Sequence, residues 1–217
     1  MAEIRVVITD DDPLVRSALS LFIAQAPEVT VVAEARDGFE AIAAVEQHQP
    51  DIVMMDVQMP GMDGIKATER ITRRWPHVRV LAVTTLDTRD TVLRMLNAGA
   101  TGFMLKDATP DELVDALRNA SQGMSTLSPR TTSLLVKHVR EGEHRAPITD
   151  LEPLTERETE VLQRLAKGMS NAEIAGELHV SEGTVKAHFG SIMAKWQVRD
   201  RVQVLVAAAR AGLISFD

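Results

Sequence analysis

Short apolar runs alternate with longer amphipathic stretches over the first 122 residues. Runs rich in β-branched residues predict five strands, and apolar residues at helical spacing predict a helix after each strand. The predicted strands are Ile4–Thr9, Val29–Ala35, a run from Ile52 to Asp56, Val80–Thr84 and Gly102–Lys106, and the predicted helices begin at Pro13, Phe39, Ile65, Arg89 and Pro110. Because parallel neighbours need crossovers of this kind, the pattern predicts a doubly wound, five-stranded parallel α/β sheet.

The pattern changes after residue 122. In residues 123–152 it loosens: the segment from Ser128 to Val139 can form one helix, and the polar stretch after it has the composition of a linker. Residues 153–217 predict helices only, because capping boxes begin at Thr155 and Ser170 and Ser181 caps a further helix. The sequence therefore predicts an α/β domain (1–122), a linker (123–152) and an all-α helix-turn-helix domain (153–217).

The composition narrows the class of protein. Hydrophobic residues make up 45% of the 217 residues and charged residues 25%, which is typical of globular proteins. Without a membrane-spanning apolar run or a signal peptide of ordinary form, the expected location is the cytoplasm. The absence of cysteine excludes disulfides, thiol catalysis and zinc-thiolate sites.

The net charge of −7 is unevenly distributed along the chain. Residues 1–122 hold 12 basic and 19 acidic side chains, which accounts for the whole acidic excess. The segment from Gly183 to Arg199 contains Lys186, Lys195 and Arg199 and no acid. One surface of the last domain can therefore be positive and attract a polyanion.

Candidate chemistry lies at the carboxyl ends of the predicted strands. Asp10 and Asp11 follow the first strand, Asp56 the third, Thr84 the fourth and Lys106 the fifth. Ligands of open parallel sheets bind at this edge. Three carboxylates repel one another unless a hard cation such as Mg²⁺ joins them, and magnesium sites leave positions for phosphate oxygens. Taken singly, each residue is more simply a turn residue or cap, as we interpret Asp12 and Asp63.

The second helix of the predicted helix-turn-helix has two unlike faces. Val185, Phe189, Ile192 and Trp196 form an apolar stripe that predicts burial. The other face has small residues between cations, which suits close approach to a DNA major groove. Its candidate DNA contacts, with Arg199 just beyond the helix, are Thr184, Lys186, Ala187, His188, Gly190, Ser191, Lys195 and Arg199. The alternatives are a solvated face and packing against another protein.

Residues 3 to 122 resemble the receiver domain of bacterial two-component response regulators. The resemblance rests on Asp10-Asp11, on Asp56 with Met59 to Gly64, on Thr84 and on Phe103 to Lys106. It implies the flavodoxin-like strand order 2-1-3-4-5 and transfer of a phosphoryl group from a sensor histidine kinase to Asp56. It further implies that Asp10, Asp11, Asp56 and the backbone carbonyl of Gln58 serve the Mg²⁺ site and that Thr84 and Lys106 bind phosphoryl oxygens. Phe103 would be the aromatic switch, although alone it is equally a core aromatic.

Residues 152 to 214 resemble the LuxR-type helix-turn-helix. The matching segments are Thr155 to Glu158, Gly168 to Ala175 and Ser181 to His188. A receiver followed by this module is the NarL/FixJ class of response regulators. The resemblance implies promoter binding, transcription control, a homodimer when phosphorylated, and base contacts from Lys186, Ala187 and Gly190. Gly190 departs from the larger residues usual there, so readout at that position would rest on DNA shape or water.

Two rival interpretations keep part of this chemistry. A haloacid-dehalogenase-like phosphatase also uses an aspartyl phosphate, but it needs an acid two residues after the nucleophile, where this chain has Gln58. Glycine-rich nucleotide loops and His-Glu-x-x-His are also absent from the sequence. We therefore expect no enzyme beyond Mg²⁺-dependent self-phosphorylation and dephosphorylation of Asp56. The second rival keeps the receiver fold but lets a bound protein or small ligand set its state.

Overall fold

The structure is a computed structural model that describes residues 3–85, 89–123, 151–198 and 200–214. The chain divides into two compact units, residues 1–126 and 127–217. The domain boundaries at residues 122 and 152 stay predictions, and the predicted helix from Ser128 to Val139 lies outside the described residues.

The first unit is a parallel sheet of five strands in the order β2-β1-β3-β4-β5. The strands are β1 Ile4–Thr9, β2 Val29–Ala35, β3 Ile52–Met55, β4 Arg79–Thr84 and β5 Gly102–Leu105. The helices between and after them are α1 Pro13–Ile23, α2 Gly38–His48, α3 Gly64–Arg74, α4 Arg89–Ala98 and α5 Pro110–Ser121. The predicted doubly wound flavodoxin-like fold is confirmed.

Helices cover both faces of the sheet. Helix α1 packs against α5 on one face, and α2 and α4 both pack against α3 on the other. Every residue of β3 is buried because this strand lies at the centre of the sheet, and its sequence is accordingly apolar throughout. This covering leaves the carboxyl ends of the strands as the edge at which polar side chains can meet.

Two predicted strands end one residue earlier than expected. The backbone amides of Asp56 and Lys106 still donate to neighbouring strands, to the carbonyls of Thr9 and Thr84 at 2.9 Å each. The chain then turns out of the sheet, so β3 ends at Met55 and β5 at Leu105. Asp56 and Lys106 therefore lie on the rim, just beyond the last ladder residue.

Gly64, at the end of the loop that follows β3, packs against the backbone at the start of this loop. A Cβ at this position would lie 1.9 Å from the carbonyl oxygen of Asp56, so only glycine fits without a shift of the backbone. The amide of Gly64 also donates to the carbonyl of Val57 at 3.0 Å. The close packing of Gly64 therefore restricts the position of the Asp56 backbone.

The described part of the second unit is helical. Its helices are α6 Glu156–Ala166, α7 Asn171–Leu178, α8 Glu182–Trp196 and α9 Arg201–Arg210. Thr155 and Ser170 form the two predicted capping boxes, and Ser181 caps α8 through the amide of Thr184. His179 ends α7 in the left-handed conformation, with φ of 55°, which makes the turn to α8 tight. The predicted helix-turn-helix is confirmed.

None of the helices that the structure describes is long and apolar enough to cross a membrane.

We predict that Gly64→Ala destabilises the first unit by more than about 2 kcal/mol, because the added methyl group would overlap a backbone atom. Denaturant unfolding followed by the fluorescence of Trp75, in a chain with Trp196→Phe, measures the change. Gly176→Ala in α7 is the control, followed by the fluorescence of Trp196 in a chain with Trp75→Phe: a Cβ there meets nothing within 4 Å, so the second unit should gain about 1 kcal/mol. Equal stability of Gly64→Ala and the parent would contradict the assigned loop geometry.

Candidate functional site

Asp10, Asp11 and Asp56 lie together at the carboxyl edge of the sheet. Each offers an oxygen atom, and these atoms all lie within 4.8 Å of one another. Asp10 and Asp56 are buried, whereas Asp11 is exposed. Three carboxylates at this separation can bind a metal ion, since hard divalent cations prefer such oxygen ligands.

Lys106 pairs with two of these carboxylates at once. Its Nζ atom lies 2.5 Å from Oδ2 of Asp10 and 3.1 Å from Oδ2 of Asp56. The lysine directly follows β5, which is not a neighbour of either β1 or β3 in the sheet, so its long side chain reaches across the end of β4. One flexible cation therefore offsets the repulsion between two buried acids.

Burial and charge act in opposite directions on these side chains. Burial raises the pKa of Asp56 above its ordinary value, and the nearby ammonium of Lys106 only partly offsets this effect. Burial lowers the pKa of Lys106, but its contacts with Asp10 and Asp56 outweigh burial and raise the pKa overall. The lysine is thus held in its charged form beside Asp56.

Arg16 of α1 binds the backbone of the loop that follows β1. Its Nη1 atom donates to the carbonyl of Asp10 at 2.8 Å, and its Nε atom donates to Glu34 of β2 at 3.0 Å. The side chain of Asp10 in turn accepts the amide of Asp12 at 3.0 Å. Sequence reasoning missed Arg16, because no motif relates an arginine inside α1 to a backbone carbonyl before that helix.

The remaining predicted residues of this unit are Thr84, Phe103 and Gln58. Thr84 ends β4, is buried and pairs in register with Leu105 of β5. Phe103 is buried in β5. Gln58 is exposed and, with Asp11, lines an open cleft of about 470 Å³ that also contains Arg94 of α4. The structure therefore brings together Asp10, Asp11, Asp56 and Lys106, with an open cleft on the side of Asp11.

In the second unit, α8 buries one face and exposes the other. The predicted apolar stripe of Val185, Phe189, Ile192 and Trp196 is buried. The exposed candidates for DNA contact are Thr184, Lys186, Ala187 and Gly190, and His188 is half-buried. Arg199 lies outside the described residues. These exposed residues lie between Thr184 and Gly190, in the part of α8 nearer to the tight turn.

Ser191 and Lys195, also predicted on the DNA-facing side, bind within the domain. Oγ of Ser191 donates to Oε1 of Glu158 in α6 at 2.5 Å, and Nζ of Lys195 lies 2.7 Å from Oε2 of the same carboxylate. Glu158 is 3% exposed. Helical spacing put these side chains beside the candidate DNA contacts, but it contains no information on how closely α6 approaches.

Burial would raise the pKa of Glu158, but hydrogen bonds from Lys195, Ser191 and Thr155 outweigh it and lower the pKa to about 2. The backbone amide of Thr155 also donates to Oε2 of Glu158, at 2.7 Å. Sequence reasoning identified Glu158 only as the acid of a capping box. The signal it lacked was the pairing of that acid with a lysine 37 positions later.

These observations describe a protein with two parts. The first is an α/β domain with an acidic pocket that contains Lys106, and the second is a helix-turn-helix domain. Comparison with known families agrees with each half. The model of the response regulator receiver domain matches residues 6–118. The model of the bacterial regulatory proteins of the luxR family matches residues 152–208.

Whole proteins of this class are similar along nearly the entire chain. A transcriptional regulatory protein of Bacillus subtilis (strain 168), YxjL, is 40% identical over 213 residues, which cover 98% of each chain. The crystal structure of the response regulator ChrA, from a heme-sensing two-component system, is 37% identical and matches with a TM-score of 0.54 over 99% of this chain and all of that one. A structure of RcsB dimers bound to DNA is 25% identical, with a TM-score of 0.57 over 95% of this chain and 97% of that chain.

The chain belongs to the transcriptional response regulators that join a receiver domain to a LuxR-type DNA-binding domain.

We predict that Glu158 makes the second unit sensitive to acid. Its folded pKa of about 2 lies below the ordinary 4.5, so the stabilisation is complete above pH 4.5 and is lost as the pH falls towards 2. Unfolding followed by the fluorescence of Trp196, in a chain with Trp75→Phe, should therefore depend more steeply on pH in this window than it does after Glu158→Gln. Parallel pH profiles would contradict the low pKa.

Proposed function

We propose that Asp56 accepts a phosphoryl group and that its phosphorylation controls DNA binding by the second unit. The observation that carries this proposal is the buried carboxylate of Asp56 beside Lys106 and two further acids at one sheet edge. A carboxylate oxygen of Asp56 attacks the phosphorus atom of the donor, a new P–O bond forms and the bond to the donor breaks. With a phosphohistidine donor, the bond that breaks is P–N, and the imidazole leaves.

We propose Mg²⁺ as the cofactor, held by Asp10, Asp11, Asp56 and the backbone carbonyl of Gln58. The oxygen-only donor set fits this ion, and the exposure of Asp11 to the open cleft fits an ion that keeps several waters. When bound, the ion supplies positive charge that offsets the charge of the transferring phosphoryl group. The ammonium of Lys106 is placed to pair with a phosphoryl oxygen in exchange for Asp10 or Asp56.

Thr84 and Phe103 are proposed as the switch residues. Thr84 ends β4, the strand between those that hold Asp56 and Lys106, so its hydroxyl can follow a phosphoryl group on Asp56. Phe103 is the buried aromatic residue of the adjacent strand and would move into the space that Thr84 leaves. Such a shift biases the surface formed by α4, β5 and α5.

A sensor histidine kinase is the proposed phosphoryl donor, and no other substrate is assigned to the protein. Leu14, the second residue of α1, is 78% exposed and follows the loop of Asp10 and Asp11 closely. An exposed leucine beside a polar site suits a protein donor that covers the pocket during transfer. Self-phosphorylation and dephosphorylation of Asp56 are then the only reactions of the chain.

The part of α8 nearer to the tight turn is the proposed DNA-reading surface. The exposed residues there are Thr184, Lys186, Ala187 and Gly190, and α8 contains no acidic residue after Glu182. Small side chains on this face let the helix enter a major groove. His188 borders this surface, and Arg199 stays a candidate contact on the basis of the sequence alone. The RcsB dimers bound to DNA support a homodimer as the DNA-binding form, and we propose that phosphorylation promotes this dimer.

We predict that incubation with acetyl phosphate and Mg²⁺ increases the mass of the protein by one phosphoryl group. Asp56→Asn should abolish the increase, because an amide oxygen is a poor nucleophile. Asp63→Asn is the matched control: Asp63 caps α3 in the same loop, and asparagine caps helices equally well. Mass spectrometry of intact protein measures both variants. Phosphorylation that survives in Asp56→Asn, or none in the parent, would reject this site.

We predict that Lys186→Ala weakens DNA binding and reduces the slope of log K against log salt by about 1, because one phosphate contact is lost. The probe is a duplex selected from a random-sequence library by the parent protein, and anisotropy titrations at several salt concentrations give the slope. Lys66→Ala, which removes an exposed lysine from the first unit, should leave the slope unchanged. An unchanged slope in Lys186→Ala would exclude a phosphate contact.

A further inference from the structure

The carboxylate of Glu158 joins α6 to α8 through two side chains one helical turn apart. Ser191 binds Oε1 and Lys195 binds Oε2. Because the two donors occupy different oxygens and lie four residues apart on α8, a slide of α8 along its axis or a rotation about it would break both contacts. The Glu158 cluster, meaning Glu158, Ser191 and Lys195, therefore fixes the position and the rotation of α8 against α6.

Along one row of α8, the side chains change from exposed to half-buried where this cluster begins. Ala187, Ser191 and Lys195 form one row at a spacing of four residues. Ala187 is exposed, whereas Ser191 and Lys195 are half-buried against Glu158. The direction in which Lys186 and Ala187 point is consequently tied to the contacts that Ser191 and Lys195 make with α6.

The charge of Lys195 is already matched within the domain. Its side chain is 21% exposed and pairs with a carboxylate that is 4% exposed. To reach a DNA phosphate, the ammonium would have to leave Glu158 as a buried anion that has lost its cation, and such a charge is costly. Buried ion pairs contribute little to stability compared with well-packed apolar residues, but their directional contacts can select one geometry.

We propose that the Glu158 cluster positions the DNA-reading surface of α8 and that Lys195 acts on DNA binding through Glu158 rather than through a phosphate. This inference rests on the proposed role of α8 in DNA binding. It assigns Ser191, Lys195 and Glu158 as positioning residues and leaves Lys186 as a direct phosphate or base contact.

The test compares the full-length variants Lys195→Met and Lys186→Ala on two duplexes, one selected from a random library by the parent protein and one of unselected sequence. We expect Lys195→Met to weaken binding to the selected duplex about tenfold or more, to lower the preference over the unselected duplex, and to leave the salt slope at the parent value. Lys186→Ala should instead reduce the slope by about 1.

Further variants separate positioning from a loss of folding. Lys195→Arg keeps a cation that can reach Glu158 and should restore most of the preference. Ser191→Ala removes one donor while the ion pair remains, so it should fold and show a smaller loss of preference at an unchanged slope. Glu158→Gln combined with Lys195→Met should be little worse than either change alone, because both break the same pair.

Three results would overturn the inference. The first is a slope reduced by about 1 in Lys195→Met while Glu158→Gln binds like the parent, which would make Lys195 a phosphate contact. The second is equal weakening on both duplexes, with the preference unchanged in every variant including Ser191→Ala, which would leave only a structural role. The third is a parent protein that selects no duplex at all, and this result alone would also reject the proposed DNA-reading surface.

Discussion

The contact of Lys106 with Asp10 and Asp56 is the interaction on which the first unit depends. Two buried carboxylates and a third exposed one within 4.8 Å would repel one another strongly in a medium of low polarity. The ammonium of Lys106, 2.5 Å from Asp10 and 3.1 Å from Asp56, makes this concentration of charge compatible with folding. Because the lysine is flexible and partly exposed, the cation can also be exchanged when the charge at Asp56 changes.

The two units each contain a buried carboxylate with a lysine, but the surroundings give the two acids different properties. Asp56 has like charges beside it and an exposed neighbour, and its pKa is raised mainly by burial. Glu158 has a lysine, a hydroxyl and a backbone amide as donors and no acid among these partners, and its pKa is lowered to about 2. The first arrangement leaves an acid open to a ligand, whereas the second satisfies the acid completely and holds two helices together.

Support from neighbouring elements gives the acidic pocket its shape. Gly64 approaches the backbone of Asp56 so closely that no side chain fits between them. Arg16, anchored by Glu34, donates to the carbonyl of Asp10. Both contacts are with the backbone and not with the carboxyl groups. They therefore fix the backbone positions of Asp56 and Asp10 and leave the carboxylate oxygens able to bind a ligand. On the proposed function, this is the preorganisation that metal and phosphoryl binding need.

The helices and strands, and the side chains that share the carboxyl edge of the sheet, could be predicted from the sequence. Apolar and β-branched runs, capping boxes and turn residues are local signals, so the strands and the helices of the helix-turn-helix were predicted with end points within one or two residues. The strand order followed from the resemblance to the receiver family. The carboxyl ends of parallel strands share one edge, and this rule was enough to bring Asp10, Asp11, Asp56 and Lys106 together. The partners of Ser191, Lys195 and Arg16 became visible only in the folded chain. Their contacts depend on how two elements distant in sequence approach each other, and helical periodicity describes the faces of one helix but not the side chain that meets them.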